Sequence, residues 1–288
     1  MKKAPVGIIG GSGLYDINGL KIKEETTVTT PFGKVETVFT AELEGAEIVF
    51  IPRFGKNHNT NPSNVNYRAN IFAFKMLGCN SILAISAVGS LQQEIKPGHF
   101  VLVDQYFDLT KGNRKNTFFD EDIVVHVPFG APTSIHLDQI INIELSDSAF
   151  LHKENIDYHS EGTYVCIEGP QFSTKAESNF YKNLGFHVIG MSNMPEAKLA
   201  REAQLHYSSL CVVTDYDCWK EGEESVTLDA ITEILKRNNL KTNTVLKKII
   251  PRIYEANLDS YKSIFQSIST REPVLSEKME YIMKILNS

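Results

Sequence analysis

Short apolar runs alternate with amphipathic segments along most of the chain, and this alternation constrains the fold more than any other feature. APVGIIGGSG at residues 4–13 and SILAISAVGS at 81–90 read as strands that end in small residues. NVNYRANIFAFKMLG and STKAESNFYKNLG have helical periodicity and end at Gly78 and Gly185, as helices commonly do. Strands interleaved with helices predict an α/β fold, in which helices cover both faces of a central mixed sheet.

Further patterns complete the outline of this sheet. VTTPFGKVETVFTAELEGAEIVFIPRFG has turn residues at Pro-Phe-Gly and Glu-Gly-Ala, which predicts hairpin strands. FVLVDQYFDLT predicts one strand, and the chain from about residue 225 onward is expected to be mostly helical. No repeat, low-complexity tract or linker interrupts the pattern, so residues 1–288 form a single predicted domain.

Charge and cysteine content exclude several classes of function. The net charge is -6 and no basic stripe is present, so no nucleic-acid partner is expected. No apolar run approaches the ~20 residues that a membrane span needs, and the N-terminal apolar stretch is too short and too rich in glycine for a signal peptide. The four cysteines have no CxxC spacing and the eight histidines no HxxxH pair, so we expect a reducing cytoplasm, no bound metal and no cofactor.

Small and polar residues follow the predicted strands where those strands end. Ligands of α/β sheets bind beyond the carboxyl ends of the strands, so these clusters are expected to share one crevice. The clusters are Gly10–Gly13, Arg53, Ser86–Ser90, Glu168–Pro170, Met191–Asn193 and Asp215–Asp217.

Two of these clusters have the composition of an anion site. In GIIGGSG the glycines allow backbone N–H groups to approach an anion, and Ser12 adds a hydroxyl donor. In SAVGS, Ser86 and the amide of Ala87 could donate to the same anion, and Arg53 could supply a fixed charge. An ordinary tight turn and an unengaged surface arginine are the alternative interpretations.

Asp215 and Asp217 in VTDYDCW are the most specific feature of the chain. In an extended strand both side chains would point to the same face, where repulsion and burial should raise the pKa of one carboxyl group. A neutral and an ionised carboxyl group together match the N7 acceptor and the 6-amino donor of a purine. The alternative is a solvated acidic turn. Phe172 could stack on a flat ring and Met191 could pack against a sugar, although core positions are common for both residue types.

Seven motifs, in order, are similar to those of the methylthioadenosine phosphorylases, which belong to the trimeric branch of the purine nucleoside phosphorylase family. The motifs are IIGGSGLYD, PRFGKNH, NYRANI, SAVGSLQQEIKPG, CIEGPQFSTKAES, GMSNMPEAKLAREA and VTDYDCW. The resemblance covers about residues 4 to 250, and a divergent helical C-terminal segment follows from about 251. It implies phosphorolysis of 5'-methylthioadenosine to adenine and 5-methylthioribose 1-phosphate, in a cytoplasmic homotrimer that acts in methionine and purine salvage.

The resemblance also implies a role for each matching position, with Asp215 and Asp217 as the catalytic pair. Asp215 would lie at N7 of adenine and Asp217 at its 6-amino group, Phe172 would contact the base, and Met191 the ribose. Leu228 and Ile231 would line an apolar slot for the methylthio group, and His126 would reach into the neighbouring subunit's site. Phosphate, a co-substrate, would be bound by Ser12, Arg53, Ser86, Ala87 and Ser192.

Two positions depart from the family pattern. The family usually has Arg-His-Gly where this chain has Phe54 after Arg53, and Gly-Pro-Arg-Phe where it has Gln171. Loss of one hydrogen bond to a charged group costs about 1.5–3 kcal/mol, so phosphate affinity could fall ten- to a hundredfold. His58 or Arg68 could compensate, phosphate could bind weakly, or the nucleophile could differ.

Three other functions therefore stay open. A purine nucleoside phosphorylase that acts on inosine or guanosine would release hypoxanthine or guanine. A nucleosidase would turn over in phosphate-free buffer, because water would replace phosphate. A non-enzymatic nucleoside-binding protein would bind adenosine analogues without turnover.

Overall fold

An 11-stranded mixed sheet forms the centre of the protein in the computed structural model. The structure describes residues 3–11, 17, 19–222, 228–261, 268–270 and 273–288, and for 228–231 it describes only the backbone. The strands are β1 Val6–Gly10, β2 Lys21–Thr30, β3 Gly33–Leu43, β4 Ala46–Pro52, β5 Ser81–Ser90, β6 Phe100–Val103, β7 Gln105–Asp108, β8 Tyr158–His159, β9 Thr163–Cys166, β10 Val188–Gly190 and β11 His206–Asp215.

The register of the sheet brings several strand ends to one edge. β1 runs parallel to β4 and β5, with Gly10 opposite Pro52 and Ile85. β11 runs parallel to β5, and their pairing shifts between Val213 and Asp215. The carboxyl ends of these four strands therefore meet at the same edge. The predicted hairpins are confirmed, since β2, β3 and β4 pair antiparallel in sequence order.

The helices begin and end where local hydrogen bonding can satisfy their termini. Asn66 accepts a hydrogen bond from the Ala69 amide at the start of α1, and Thr174 and Glu177 form the predicted capping box at the start of α4. The helices are α1 Tyr67–Met76, α2 Ile135–Leu145, α3 Ser148–Glu154, α4 Lys175–Asn183, α5 Asn193–Glu202, α6 Leu228–Ala256 and α7 Glu277–Leu286.

Apolar side chains fill both faces of the sheet, as the strand–helix alternation predicts. One core joins the sheet to α1, α5 and α7, whose buried residues include Phe72, Leu199 and Ile282. The other joins it to α2 and α6 and includes Ile141 and Ile249. The α/β prediction of a mixed sheet flanked by helices is therefore confirmed.

One predicted strand differs in the structure. FVLVDQYFDLT forms two strands, because the chain leaves β6 at Asp104, whose side chain and amide both bond to Gly162. β6 pairs with β11 and β8, whereas β7 pairs with β9. The C-terminal region is mostly helical, as predicted, because α6 and α7 make up most of its described residues, and a non-helical stretch separates the two helices. None of the described helices combines the length and apolar character needed to cross a membrane.

Candidate active site

A cavity of about 960 Å³ lies at the sheet edge where β1, β4, β5 and β11 end. Residues from separate strand ends and from α6 form its walls, as expected for an α/β fold. The structure brings together in this cavity the predicted site residues Arg53, Ser86, Ala87, Phe172, Met191, Ser192, Asp215 and Asp217.

The Asp215 carboxylate is held by groups of its own segment. Thr214 Oγ1 donates to Asp215 Oδ2 at 2.7 Å, and the Asp217 amide donates to Asp215 Oδ1 at 2.8 Å. The carboxylate also lies close to Gly89, where a Cβ would be only 2.8 Å from Oδ1. A side chain at Gly89 would therefore displace the carboxylate, so this close approach requires glycine.

Asp217 faces the same cavity for a different reason from the one the sequence suggested. We expected strand alternation to point Asp215 and Asp217 to one face, but β11 ends at Asp215 and Asp217 has a left-handed φ of 50°. The chain therefore turns after Tyr216, and this turn directs the Asp217 amide to the Asp215 carboxylate. The alternation argument is wrong here, because it requires an extended backbone that the chain does not keep.

Burial dominates the acid–base properties of both carboxyl groups. It raises the pKa of Asp215, although bonds from Thr214 and the Asp217 amide partly oppose the shift. Burial also raises the pKa of Asp217, and the hydroxyls of Ser178 and Ser173 favour its ionised form. Among the described residues, neither hydroxyl makes a hydrogen bond of normal geometry, and Asp217 Oδ2 has no such partner either. This oxygen is thus available to a donor on a ligand.

Neutral donors gather at the opposite end of the cavity. Ser86 Oγ and Ser192 Oγ are 3.3 Å apart and both side chains are buried. The Tyr164 hydroxyl accepts a hydrogen bond of 3.2 Å from the Ser192 amide, which fixes this residue independently of Ser86. Ala87 and Gly11 line the cavity beside them. Hydroxyl and amide donors at this spacing suit an oxyanion such as phosphate.

The guanidinium of Arg53 reaches this end but is already paired. Its Nε donates to Glu196 Oε1 at 2.5 Å and its Nη2 to Glu196 Oε2 at 3.0 Å, while Nη1 donates to the Ile85 carbonyl. Burial opposes the charge on Arg53, but the attraction of Glu196 outweighs it and raises the pKa of Arg53. The side chains are 1% and 0% exposed, so this is a buried, bidentate ion pair.

Phe54 occupies the position where the resemblance implies histidine. Its ring lies against Gly11 and packs on the His58 ring with centroids 4.7 Å apart. His58 lines the cavity, and burial lowers its pKa, which favours the neutral imidazole. Arg68 instead forms an ion pair with Asp120 at 2.8 Å and does not line the cavity. Of the two compensating residues that the sequence suggests, only His58 is placed for that role.

Met191 and Phe172 form the wall between the two ends. Met191 follows β10, and Phe172 follows the turn at Gly169–Pro170, where Gly169 has a φ of +66°. A Cβ at Gly169 would lie against Met191, so the two walls approach closely at this turn. Phe172 remains 45% exposed, as expected for an aromatic ring that faces an open cavity.

Four predicted site residues are not placed in the cavity by the structure. Ser12 lies outside the described residues, as do the side chains of Leu228 and Ile231 in the first turn of α6. His126 is described, is exposed and does not line the cavity of its own chain. Later residues of α6 do line it, namely Thr232, Leu235, Lys236, Asn239 and Thr242.

Several residues that shape the site were missed by the sequence reasoning. Glu196 pairs with Arg53, Thr214 bonds Asp215, and Ser173 and Ser178 face Asp217. Glu196 carried a partial signal, because this charged residue precedes the apolar Leu199 and Ala200 by three and four positions on the helix after β10. Within the described part of the chain, no group of three or more His, Cys, Asp or Glu residues is arranged to hold a metal ion.

The chain is similar in sequence to proteins of one known family. Residues 5–251 match the model of the phosphorylase superfamily. The S-methyl-5'-thioadenosine phosphorylase of Geobacter sulfurreducens is 45% identical over 249 residues, which cover 86% of this chain and 85% of that protein.

Solved structures agree with the sequence comparison. A methylthioadenosine phosphorylase from an antarctic soil metagenomic library superposes with a TM-score of 0.88 at 38% identity, over 99% of both chains. A variant adenosine/methylthioadenosine phosphorylase of Schistosoma mansoni in complex with methylthioadenosine gives a TM-score of 0.78 at 38% identity, over 88% of this chain and 96% of that one.

Proposed function

We propose that this chain, which belongs to the phosphorylase superfamily and within it to the S-methyl-5'-thioadenosine phosphorylases, cleaves 5'-methylthioadenosine with phosphate. The products are adenine and 5-methylthioribose 1-phosphate. Such a reaction needs no cofactor, since phosphate is the second substrate.

The pair of carboxyl groups at Asp215 and Asp217, which face the same cavity, is the observation that carries the proposal. Adenine presents an acceptor at N7 and a donor at its 6-amino group, so one protonated and one ionised carboxyl group complement that edge. Burial raises the pKa of both Asp215 and Asp217, which favours protonation of one of the two carboxyl groups. Asp217 Oδ2 has no hydrogen-bond partner within the described ranges and suits the amino group, and Asp215 is left to act at N7.

The cavity also suits the bond changes of phosphorolysis. A phosphate oxygen forms a bond to C1' of the sugar while the bond from C1' to N9 breaks and its electron pair passes to adenine. A proton or strong hydrogen bond from Asp215 to N7 stabilises the base as it departs. Hydroxyls of Ser86 and Ser192, with nearby backbone amides, would hold phosphate at the other end of the cavity. Their fixed positions lower the entropic cost of bringing the two substrates together.

Adenine release in the presence and absence of phosphate tests this function. With 5'-methylthioadenosine, the rate should rise with added phosphate and saturate. Equal turnover in phosphate-free buffer would instead indicate a nucleosidase, and a higher rate with inosine would indicate a 6-oxopurine phosphorylase. Tight binding of adenosine analogues with no turnover at any phosphate concentration would indicate a nucleoside-binding protein.

A homotrimeric assembly belongs to the same proposal. His126 is exposed and does not line the cavity of its own chain, which agrees with a role at a neighbouring subunit's site. The edge strand β7, helix α4 and the residue that follows α4 also expose apolar side chains, with Phe107 at 44%, Phe180 at 58% and Leu184 at 51% exposure. Such side chains are often covered in an assembly. Light scattering on the eluting protein would give the mass of three chains, whereas a monomeric mass in active protein would contradict this assembly.

The cellular setting follows from the chemistry of the reaction and is proposed with it. Release of adenine and a methylthio sugar phosphate would return the base to purine salvage and the sulphur to methionine salvage. A cytoplasmic location suits the four free cysteines, three of which are fully buried.

A further inference from the structure

Arg114 is a buried arginine that contacts both walls of the cavity from behind. It lies in the irregular segment after β7, and its side chain is 1% exposed. Its Nη1 donates to the carbonyls of Met191 at 2.7 Å and Met194 at 2.6 Å, and its Nη2 donates to the Glu168 carbonyl at 2.7 Å. One guanidinium therefore joins the end of β9 to the end of β10.

The Glu168 carboxylate completes this connection. Arg114 Nε donates to Glu168 Oε1 at 3.1 Å, and the same oxygen accepts from Ser63 Oγ at 2.5 Å. The Lys111 amide donates to Glu168 Oε2 at 2.6 Å. Burial alone would raise the pKa of Glu168, but these donors outweigh it and lower that pKa. Glu168 is therefore ionised and multiply bonded at neutral pH, which makes the pair rigid.

The backbone atoms held by this pair support the residues that face the nucleoside. Met191 is one wall of the cavity, and Glu168 is followed directly by the Gly169–Pro170 turn that leads to Phe172. We propose that Arg114 and Glu168 are a positioning pair that sets the spacing between the Met191 wall and the Phe172 wall, and thereby the affinity for the nucleoside. This inference rests on the proposed function, because it assigns the nucleoside to that part of the cavity.

The phosphate end shares one peptide group with the Met191 wall, since Arg114 bonds the Met191 carbonyl and Tyr164 bonds the Ser192 amide, but it also has supports of its own. Ser192 is fixed by Tyr164 and lies against Ser86, and Arg53 is fixed by Glu196. Neither Arg114 nor Glu168 lines the cavity. A shift of one wall by about 1 Å can cost on the order of a hundredfold in rate. Loss of the pair should therefore raise the KM for the nucleoside much more than the KM for phosphate.

Arg114→Lys keeps the charge but loses the planar fork, and Glu168→Gln keeps the shape but loses the charge. We expect both variants to raise the KM for 5'-methylthioadenosine at least tenfold, while the KM for phosphate changes less than about threefold. Lys198→Met is the matched control, because Lys198 forms an ion pair of 2.5 Å with Asp108 at the end of β7 and reaches neither Met191 nor Glu168. In this control both KM values should stay near those of the wild type.

Three measurements separate the outcomes. Thermal unfolding followed by circular dichroism identifies variants that do not fold, and Glu168→Gln, the milder change, then carries the test. Equal rises in both KM values, or unchanged kinetics in folded protein, would overturn the positioning role. Calorimetric titration with 5'-methylthioadenosine gives the same comparison without turnover. If the wild type binds the nucleoside but shows no phosphate-dependent cleavage, the proposed function fails, whereas the titration of the variants still decides the role of the pair.

Discussion

The two ends of the cavity differ in how their charged groups are paired. At one end the Arg53 cation has a carboxylate partner, and at the other end Asp215 and Asp217 have no cationic partner among the described residues. Arg53 and Glu196 form a bidentate pair whose charges cancel, and the donors around them are neutral hydroxyls. Asp217 is buried and Asp215 is partly buried, and among the described residues neither carboxyl group forms an ion pair. Asp215 accepts bonds from the Thr214 hydroxyl and the Asp217 amide, whereas Asp217 Oδ2 has no such partner in the described part of the chain.

This difference indicates how each end interacts with its ligand. The end where Arg53 is paired with Glu196 can bind an anion through hydroxyl and amide dipoles, and this binding needs no proton transfer. An end with buried, partly bonded carboxyl groups retains unmet hydrogen-bonding capacity that a ligand donor or acceptor can fill. We therefore expect the proton chemistry to lie at the acidic end and the anchoring of the nucleophile at the neutral end.

Asp215→Asn should give the largest effect on catalysis. The amide keeps the shape of the side chain but cannot supply a proton to N7, so we expect kcat to fall by about 10²–10⁴-fold. Steady-state kinetics at saturating phosphate would measure the loss, and the thermal unfolding midpoint would confirm the fold. Near-normal turnover would place the proton chemistry elsewhere.

Glu196→Gln tests whether charge cancellation stabilises the other end. The variant leaves Arg53 buried without its counter-charge, and breaking such a pair costs about 3–5 kcal/mol of the free energy of unfolding. Urea denaturation would measure this cost. The double variant Arg53→Leu, Glu196→Leu removes both charges and should be less destabilised than the single variant. Equal losses in the two proteins would show that the pair matters for shape and not for charge.

Ser192→Ala should separate the two ends kinetically. Loss of one hydrogen bond to a charged group is worth about 1.5–3 kcal/mol, so the KM for phosphate should rise roughly ten- to a hundredfold. The KM for the nucleoside should change little, because the acidic end is untouched. An equal rise in the KM for phosphate and the KM for the nucleoside would show that the two ends do not bind their ligands independently.

The pH dependence of the reaction offers a smaller but more specific comparison. Burial raises the pKa of Asp215, so its proton is retained below that pKa and lost as the pH rises through it. The ratio kcat/KM should therefore decline by about tenfold per pH unit on the alkaline side. In Asp215→Asn this limb should flatten, and an unchanged limb in the variant would assign it to another group.

Phe54→His should give the smallest change, and in the favourable direction. An imidazole beside Gly11 would add a donor at the neutral end, so the KM for phosphate should fall by about tenfold. Phe54→Leu is the control, because it removes the ring without adding a donor. A similar fall in both variants would mean that the ring obstructs phosphate and that the missing donor is irrelevant.

Much of the fold could be predicted because its elements have strong local signals. The hairpins of β2–β4, the capping box at Thr174 and the glycine after α1 each depend on neighbouring residues only. The division of FVLVDQYFDLT into two strands could not be predicted in this way, since it depends on contacts between Asp104 and Gly162. Pairing between distant segments has no local signature in a single sequence.

The candidate site shows the same limit. Gly-rich turns and paired acids identify which strand ends meet, so Ser86, Met191 and Asp215 could be named in advance. The partners of charged groups could not, because Glu196 is 143 positions from Arg53 and Glu168 is 54 positions from Arg114. The prediction for the Asp217 side chain assumed an extended backbone. The chain instead turns after β11, and the alternation pattern of the sequence does not indicate this turn.

The left-handed backbone at Asp217 has an evolutionary consequence. Asparagine adopts this conformation as readily as aspartate, whereas most other side chains would be strained there. The codons of these two amino acids differ by a single nucleotide. A descendant gene could thus exchange the Asp217 carboxylate for an amide without reshaping the loop around it. If Asp217 binds the 6-amino group as proposed, this single step should shift the preference from amino- to oxo-substituted purines.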